Sequence, residues 1–380
     1  MRRLISFVVI LAFAVALASP TPAADDGVKR LLYVTSRDGA GGKGDKGIYV
    51  YDIDNGHKLV KFIAIPQLGG TRGACGCAAT AKLWIAHGND KLLCMDIKTE
   101  KVLWENQYAK EDGGCDRIGV TLDGKKLYVP SGFWSGNSAV KVVEGDTGKL
   151  LKRIEVSPKG GLHNLIVTPD GRRVVAGSTQ YNMLSVIDTA TDEVIVTVGP
   201  IIGVIQPLTI NGAQTLAYIN SHLYREGHGP GFEIGDLRTG KILHVVGRPE
   251  LKDRKTRCHG VGLTPDEKEV WVVDQGNKEL HVFDNTVMPP KFKQALPMSA
   301  STHGWICFSR DGKFGWCDTG EVFDVATKKV IAQWTDKSDG QGGLVMSSKF
   351  FEIHFKDGVP VWVGQQMGVG YVGVKDSPGR

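Results

Sequence analysis

The chain has 380 residues, 42% hydrophobic and 23% charged, with a formal net charge of +5. This is the composition of an ordinary globular chain, and it excludes a disordered or collagen-like polymer. The small positive balance gives no basis for a nucleic-acid partner or for attachment to an anionic membrane.

The first element in chain order is a processing segment. Arg2 and Arg3 precede an apolar run from Leu4 to Leu17, and small residues follow at Ala18, Thr21 and Ala23. That order is the order of a secretion signal, and about 15 apolar residues is short for a bilayer span. We expect residues 1–23 to be a signal peptide and residues 24–380 a single mature domain. The mature chain is expected to be periplasmic or secreted, with no transmembrane anchor after signal removal. Loss of the two arginines lowers the net charge from +5 to +3 (5 − 2 = 3).

The mature chain opens with Leu31-Leu-Tyr-Val-Thr and Ile48-Tyr-Val-Tyr-Asp52. These read as the second and third strands of a four-stranded unit whose first strand is missing. From Asp52 onward an acidic residue followed by a turn recurs at Asp96, Glu144, Asp188, Asp236, Asp284 and Asp324. The spacings, by subtraction, are 44, 48, 44, 48, 48 and 40 residues. A period in the forties with short strands on either side predicts an all-β, seven-bladed β-propeller. Unit six reads most cleanly: Cys258-His-Gly-Val-Gly-Leu-Thr, a Pro-Asp-Glu turn, Glu269-Val-Trp-Val-Val, then Glu279-Leu-His-Val-Phe-Asp284. Unit four repeats the plan from Leu162 to Asp188, whereas unit two has a shortened first turn. Unit five carries an insertion from Ser221 to Phe232 that includes His222 and His228. At the C-terminus Lys349-Phe-Phe-Glu-Ile-His-Phe reads as the missing first strand, so that the C-terminal segment closes the ring. Val361-Trp-Val and Tyr371-Val-Gly-Val exceed what closure needs, which leaves an eight-bladed ring as the alternative.

Seven cysteines include no CxxC pair. Cys75-Gly-Cys77 places two thiols on one face of a strand, poorly set for bonding each other. Burial as small hydrophobes, with one or two disulfides elsewhere, is the expectation. The tryptophans fall mostly in strands and are expected between blades. Trp134, in the loop Gly132-Phe-Trp-Ser-Gly136, stands apart as a candidate ligand contact.

Tyr33-Val-Thr, His259-Gly-Val-Gly-Leu-Thr-Pro-Asp with Val270-Trp-Val-Val-Asp, and Ser185-Val-Ile-Asp-Thr-Ala-Thr resemble the YVTN-type β-propeller repeats of exported proteins. The resemblance covers essentially the whole mature chain. It implies a relation to lactonase propellers, amine dehydrogenase large subunits and the propeller half of nitrous oxide reductase. Activities that diverse belong to sites grafted on the fold.

First strands line the central channel of a propeller. Aligning the units on the Thr-Pro-Asp turn puts Cys75, Asp116, His163 and His259 at one equivalent position, with His303 one residue away and Gln206 in unit five. The first expectation for such a ring of imidazole, thiol and carboxylate is structural, each histidine bonding a neighbouring blade, and the alternative is a site for copper or zinc. Arg72, Arg117 and Arg257 lie beside those strand starts and would suit a carboxylate or phosphate. Gly-x-Ser-x-Gly and His-Glu-x-x-His are absent, so neither serine-hydrolase nor zincin chemistry is supported. The leading expectation is an exported scaffold binding a small molecule or a protein at its channel mouth and loops. Two alternatives stand beside it. One is a lactonase-like hydrolase using a channel histidine and the rim arginines, and the other is a copper- or zinc-binding, redox-associated propeller.

Overall fold

The computed structural model describes residues 27–36 and 45–375; the segment read as a signal peptide lies outside them. Seven antiparallel sheets are present, six of four strands and one of five. Among the described residues the only helices are three short 3-10 turns, and none is long and apolar enough to cross a membrane. Each four-stranded sheet is one unit of the repeat, taken here as blades two to seven in chain order.

The recurring acid has a local job that explains its period. In blade two the Asp96 carboxylate accepts the backbone N–H groups of Lys98 (2.9 Å) and Thr99 (2.7 Å). Asp188 does the same for Ala190 and Thr191, and Asp236 for Arg238 and Thr239. The side chain satisfies turn donors that no strand can reach. The turn then closes on a residue in the left-handed region, Glu100 (φ 59°), Asp192 (φ 56°) or Gly240 (φ 76°), whose N–H returns to the acid's carbonyl. Just before each acid the ladder between third and fourth strands slips by one residue, from Val50/Tyr51 in blade one to Val322/Phe323 in blade seven. A bulge repeated in every blade adds twist at the outer edge.

A second periodic feature holds the blades to one another. Counted from the second-strand residue that pairs with the recurring acid, the third position is aromatic in six blades: Tyr33, Trp84, Tyr128, Tyr218, Trp271 and Trp316, with Val175 in blade four. All six rings are buried. Several also bond the next blade: Trp84 Nε1–H donates to the Gly145 carbonyl at 3.0 Å, and Tyr128 Oη–H donates to Asp192 at 2.5 Å. Trp316 Nε1–H donates to His57 Nε2 at 2.9 Å and so joins blade seven to blade one. These side chains combine large apolar burial with one satisfied polar atom.

Ring closure follows the expected route and then continues. Phe350–Lys356 pairs antiparallel with Val28–Thr35, completing blade one. Val359–Val363 pairs with Phe350–Lys356 as a fifth strand, so the eight-bladed alternative is corrected: the surplus residues enlarge blade one. Beyond Val363 the chain leaves the sheet and crosses one end of the channel. Gln366 Oε1 accepts the Ala74 N–H, and the Gly368 carbonyl accepts the Leu263 N–H. The Gln366 carbonyl accepts Trp305 Nε1–H (2.5 Å), and Gln365 Nε2–H donates to the Val167 carbonyl (3.0 Å). The tail therefore binds blades two, four, five, six and seven, and a cavity of about 20 Å³ lies between it and blades two, three and four. The channel is open at its opposite end. All seven cysteines are buried as thiols, which corrects the expectation of disulfides.

Candidate functional site: the open channel mouth

At the open end, a cavity of about 620 Å³ is lined by the starts of the inner strands. Asp116, His163, His259, His303, Arg72, Arg117 and Arg257 all face it, together with Lys349, Asp318 and Phe133. Cys75 and Gln206 are not among its walls. Cys75 packs with Trp84, Cys115 and Ile118 in an apolar cluster and faces the small cavity beside the C-terminal tail with Leu165. Its displacement is a register effect. In blade four the first turn closes through Gly171 N–H to the Thr168 carbonyl, and in blade two the same bond runs from Ala81 to Ala78. Thr168 aligns with Ala78, so His163 corresponds to Gly73, next to Arg72, while Cys75 lies deeper, level with Leu165. Gln206 is half-buried, and its backbone N–H is tied to the Asn220 carbonyl.

Arg117 reaches the cavity because the inner strand of blade three is only Gly119–Val120. The irregular chain before it crosses the inner strand of blade two at Gly73, where a Cβ would lie 2.5 Å from the Asp116 carbonyl oxygen. Only glycine allows that approach. The Arg117 guanidinium is buried, donates to the Arg72 carbonyl at 2.6 Å, and lies 4.4 Å from the centroid of the Trp305 ring. Its Nη2 is 3.1 Å from His303 Nε2, which therefore accepts from it.

The histidines have two different settings. His163 and His259 are buried, at 3% and 7% exposure, whereas His303 is exposed. His163 Nδ1 lies 2.7 Å from the Asp116 carboxylate, and His259 Nδ1 lies 3.0 Å from the Gly304 carbonyl. Both acceptors place the proton on Nδ1 and leave the Nε2 lone pair of each ring unprotonated. Burial lowers the pKa of His163, with Asp116 opposing and Arg117 adding to the shift. His259 is held well below the usual histidine range by burial, then by His303, His163 and Arg117. Both rings are thus neutral at pH 7. The acceptors come from neighbouring blades, so the structural role considered for these histidines is present, and the remaining ring nitrogens stay available for chemistry. One ring nitrogen from each of His163, His259 and His303 lies within 4.8 Å of those of the other two.

The loop carrying His303 is fixed from below. The buried Asp318 carboxylate accepts the N–H groups of Gly304 (2.7 Å) and Trp305 (3.0 Å) and the Thr302 hydroxyl. Burial raises the pKa of Asp318 despite these bonds. On the other side Phe133 stands edge-on to His163, 5.1 Å between centroids, and Trp134 lies under the Arg72 guanidinium at 4.5 Å. The aromatic loop is therefore a wall of the mouth. Sequence reasoning missed Lys349, Asp318 and Phe133. Lys349 was visible only as the first residue of the expected closing strand, which begins one residue later at Phe350, and Asp318 as the residue after the second strand of blade seven. His222 and His228 belong to neither of the two three-ligand groups found among the described residues.

Fold and site together define the class as a seven-bladed β-propeller, sealed at one end and bearing a cationic, histidine-lined cavity at the other. No protein-family profile matches the chain, and no curated protein does. Among solved structures it is similar to hydrazine synthase of Kuenenia stuttgartiensis, with a TM-score of 0.61 and 15% identity. That match covers 78% of this chain and 93% of the other. The β-propeller domain of Cps50 (Swd1) from Myceliophteria thermophila is similar with a TM-score of 0.59 and 12% identity, covering 78% and 94%. At such identities the likeness shows the shared fold alone.

Proposed function

We propose that this chain is an exported, YVTN-type propeller that binds a small anionic molecule, a carboxylate or a phosphate, in its channel mouth. The observation that carries the reading is the charge of the cavity wall. Arg72, Arg117, Arg257 and Lys349 converge there against two carboxylates, Asp116 and Asp318, both already engaged by internal hydrogen bonds. Among the described residues no carboxylate lies within ion-pair distance of Arg72 or Arg257. Guanidinium groups with no internal anion, in a half-enclosed site, favour a ligand that brings one. Phe133 adds an apolar wall for the remainder of the ligand.

Thermal unfolding in the presence of a panel of small carboxylates and phosphates tests this. A ligand at about 100 times its Kd should add about 2.7 kcal/mol of stability. Arg257→Ala and Arg72→Ala should each weaken that ligand roughly tenfold or more while leaving the unliganded midpoint within a few degrees. A panel at millimolar concentration that shifts nothing would sink the reading. A lactonase-like hydrolase is the second reading, favoured by the Asp116–His163 pair, which leaves His163 Nε2 unprotonated to act as a general base on water. Lactone hydrolysis that persists unchanged in His163→Ala would remove that assignment.

A further inference from the structure

We infer that His163, His259 and His303 form a binding site for a single zinc or copper(II) ion, whose open coordination position faces the cavity. The inference uses the same cavity as the anion reading, but it rests on the histidines and not on the arginines.

Three observations carry it. First, the three rings come from blades four, six and seven, yet bring one nitrogen each within 4.8 Å of the others. Bonds of about 2.0–2.1 Å to a tetrahedral ion require those nitrogens to sit about 3.4 Å apart, inside the 4.8 Å limit, so the rings must close on the ion. His303 can supply that movement by rotation of its exposed side chain, its loop staying held by Asp318, while the rings of His163 and His259 are buried and bonded at Nδ1. Second, the two fixed rings are already arranged as ligands. Each donates Nδ1–H to an outer acceptor, Asp116 for His163 and the Gly304 carbonyl for His259. That outer bond sets the tautomer and ring orientation that metal-bound histidines need. Third, the donor set selects the ion. Three imidazoles with no thiolate suit zinc or copper(II), since Cys75 faces the cavity at the other end of the channel.

His303 has a competitor. Its Nε2 accepts from Arg117, so an incoming ion must take that lone pair or meet the ring after it turns. Displaced from His303, the Arg117 guanidinium remains beside the ion and favours an anion as the fourth ligand. The deeper chemistry of the site is thus recognition of an anion by metal and guanidinium together. The other three-ligand cluster, Asp274, Glu279 and His281, is different in kind. His281 Nδ1 lies 3.1 Å from Arg248 Nη1, and its Nε2 lies 3.2 Å from a Glu279 carboxylate oxygen. A guanidinium on one nitrogen and a carboxylate beside the other make an ion-pair chain, not a chelate.

The test is calorimetric titration of the chelator-treated full chain with zinc and with copper(II), in buffer free of carboxylate and phosphate. The expected result is one ion per chain at a Kd of about 1 μM or below. His163→Gln and His259→Gln should each weaken binding at least about 100-fold, and Asp116→Asn roughly tenfold through His163. Should those variants fail to fold, the electron paramagnetic resonance spectrum of the copper-loaded wild type decides instead, by nitrogen hyperfine coupling from imidazole ligands. Sub-stoichiometric or weaker-than-millimolar binding of both metals, or a copper spectrum without imidazole nitrogens, overturns the inference. Metal binding that is lost in the histidine variants but kept in Arg72→Ala and Arg257→Ala upholds this site whatever becomes of the anion reading. Metal occupancy also uses the His163 Nε2 that a general base would need, so the hydrolase reading and the metal site are alternatives at that atom.

Discussion

His57 shows how much one side chain can depend on its blade neighbour. It sits in the left-handed region (φ 57°) at the end of the first repeated turn, buried, and accepts the indole N–H of Trp316 from blade seven. Burial, and then the charge of Arg30, lowers its pKa to about 4 from the ordinary value of 6.5. The unfolded chain takes up a proton that the folded chain refuses. The contribution to stability is therefore complete above about pH 6.5 and is lost as pH falls toward 4. Over that window His57 accounts for roughly 3 kcal/mol, at 1.36 kcal/mol per pH unit. Urea unfolding at pH 7.5 and pH 4.5 should show a smaller acid loss in His57→Gln than in wild type. Equal losses would mean that burial does not hold His57 neutral in the folded chain. The histidines of the mouth were legible as residues, since counting back from Thr168 and Thr264 reaches His163 and His259. Their 2.7 Å and 3.0 Å outer bonds were not, because these join residues of different blades.

At the scale of the element, the turn is what makes the fold readable. An acid that bonds its own turn must precede it at a fixed distance, so seven blades leave seven acids in register: Asp52, Asp96, Asp188 and Asp236 each accept two turn N–H groups, Asp284 and Asp324 accept one, and Glu144 accepts the Thr147 hydroxyl. Asp96→Ala removes the acceptor of Lys98 and Thr99 N–H on a half-exposed turn, and should cost about 1 kcal/mol by chemical denaturation, with the ring intact. A cost near zero would assign the repeat to something other than turn bonding. The same elements explain the misplacement of Cys75. Blades three, four, six and seven mark their first turn with a hydroxyl that bonds the carboxylate two residues on: Thr121–Asp123, Thr168–Asp170, Thr264–Asp266 and Ser309–Asp311. Blade two has Ala78 and Thr80 instead, and only the backbone bond from Ala81 to Ala78 reveals its register.

At the scale of the molecule, the C-terminal tail converts an open ring into a cup. Its role was illegible in sequence because its partners are backbone and side-chain groups spread over blades two, four, five, six and seven, which no periodicity marks. Ending the chain at Val363 would strip acceptors from the Ala74 and Leu263 amides and the Trp305 indole. Such a truncation should lower stability by at least about 3 kcal/mol and open the channel to water from below. Unchanged unfolding would show that the tail is not part of the folded unit. The cup matters because a sealed channel lets the mouth act as a half-enclosed site, where cationic side chains are weakly screened. An anomalous-diffraction map from a crystal soaked in selenate tests that central claim most directly. We predict a peak inside the cavity, within hydrogen-bonding reach of Arg72, Arg117 or Arg257. Selenate bound only at exposed lysines and arginines elsewhere, with the mouth vacant, would contradict it.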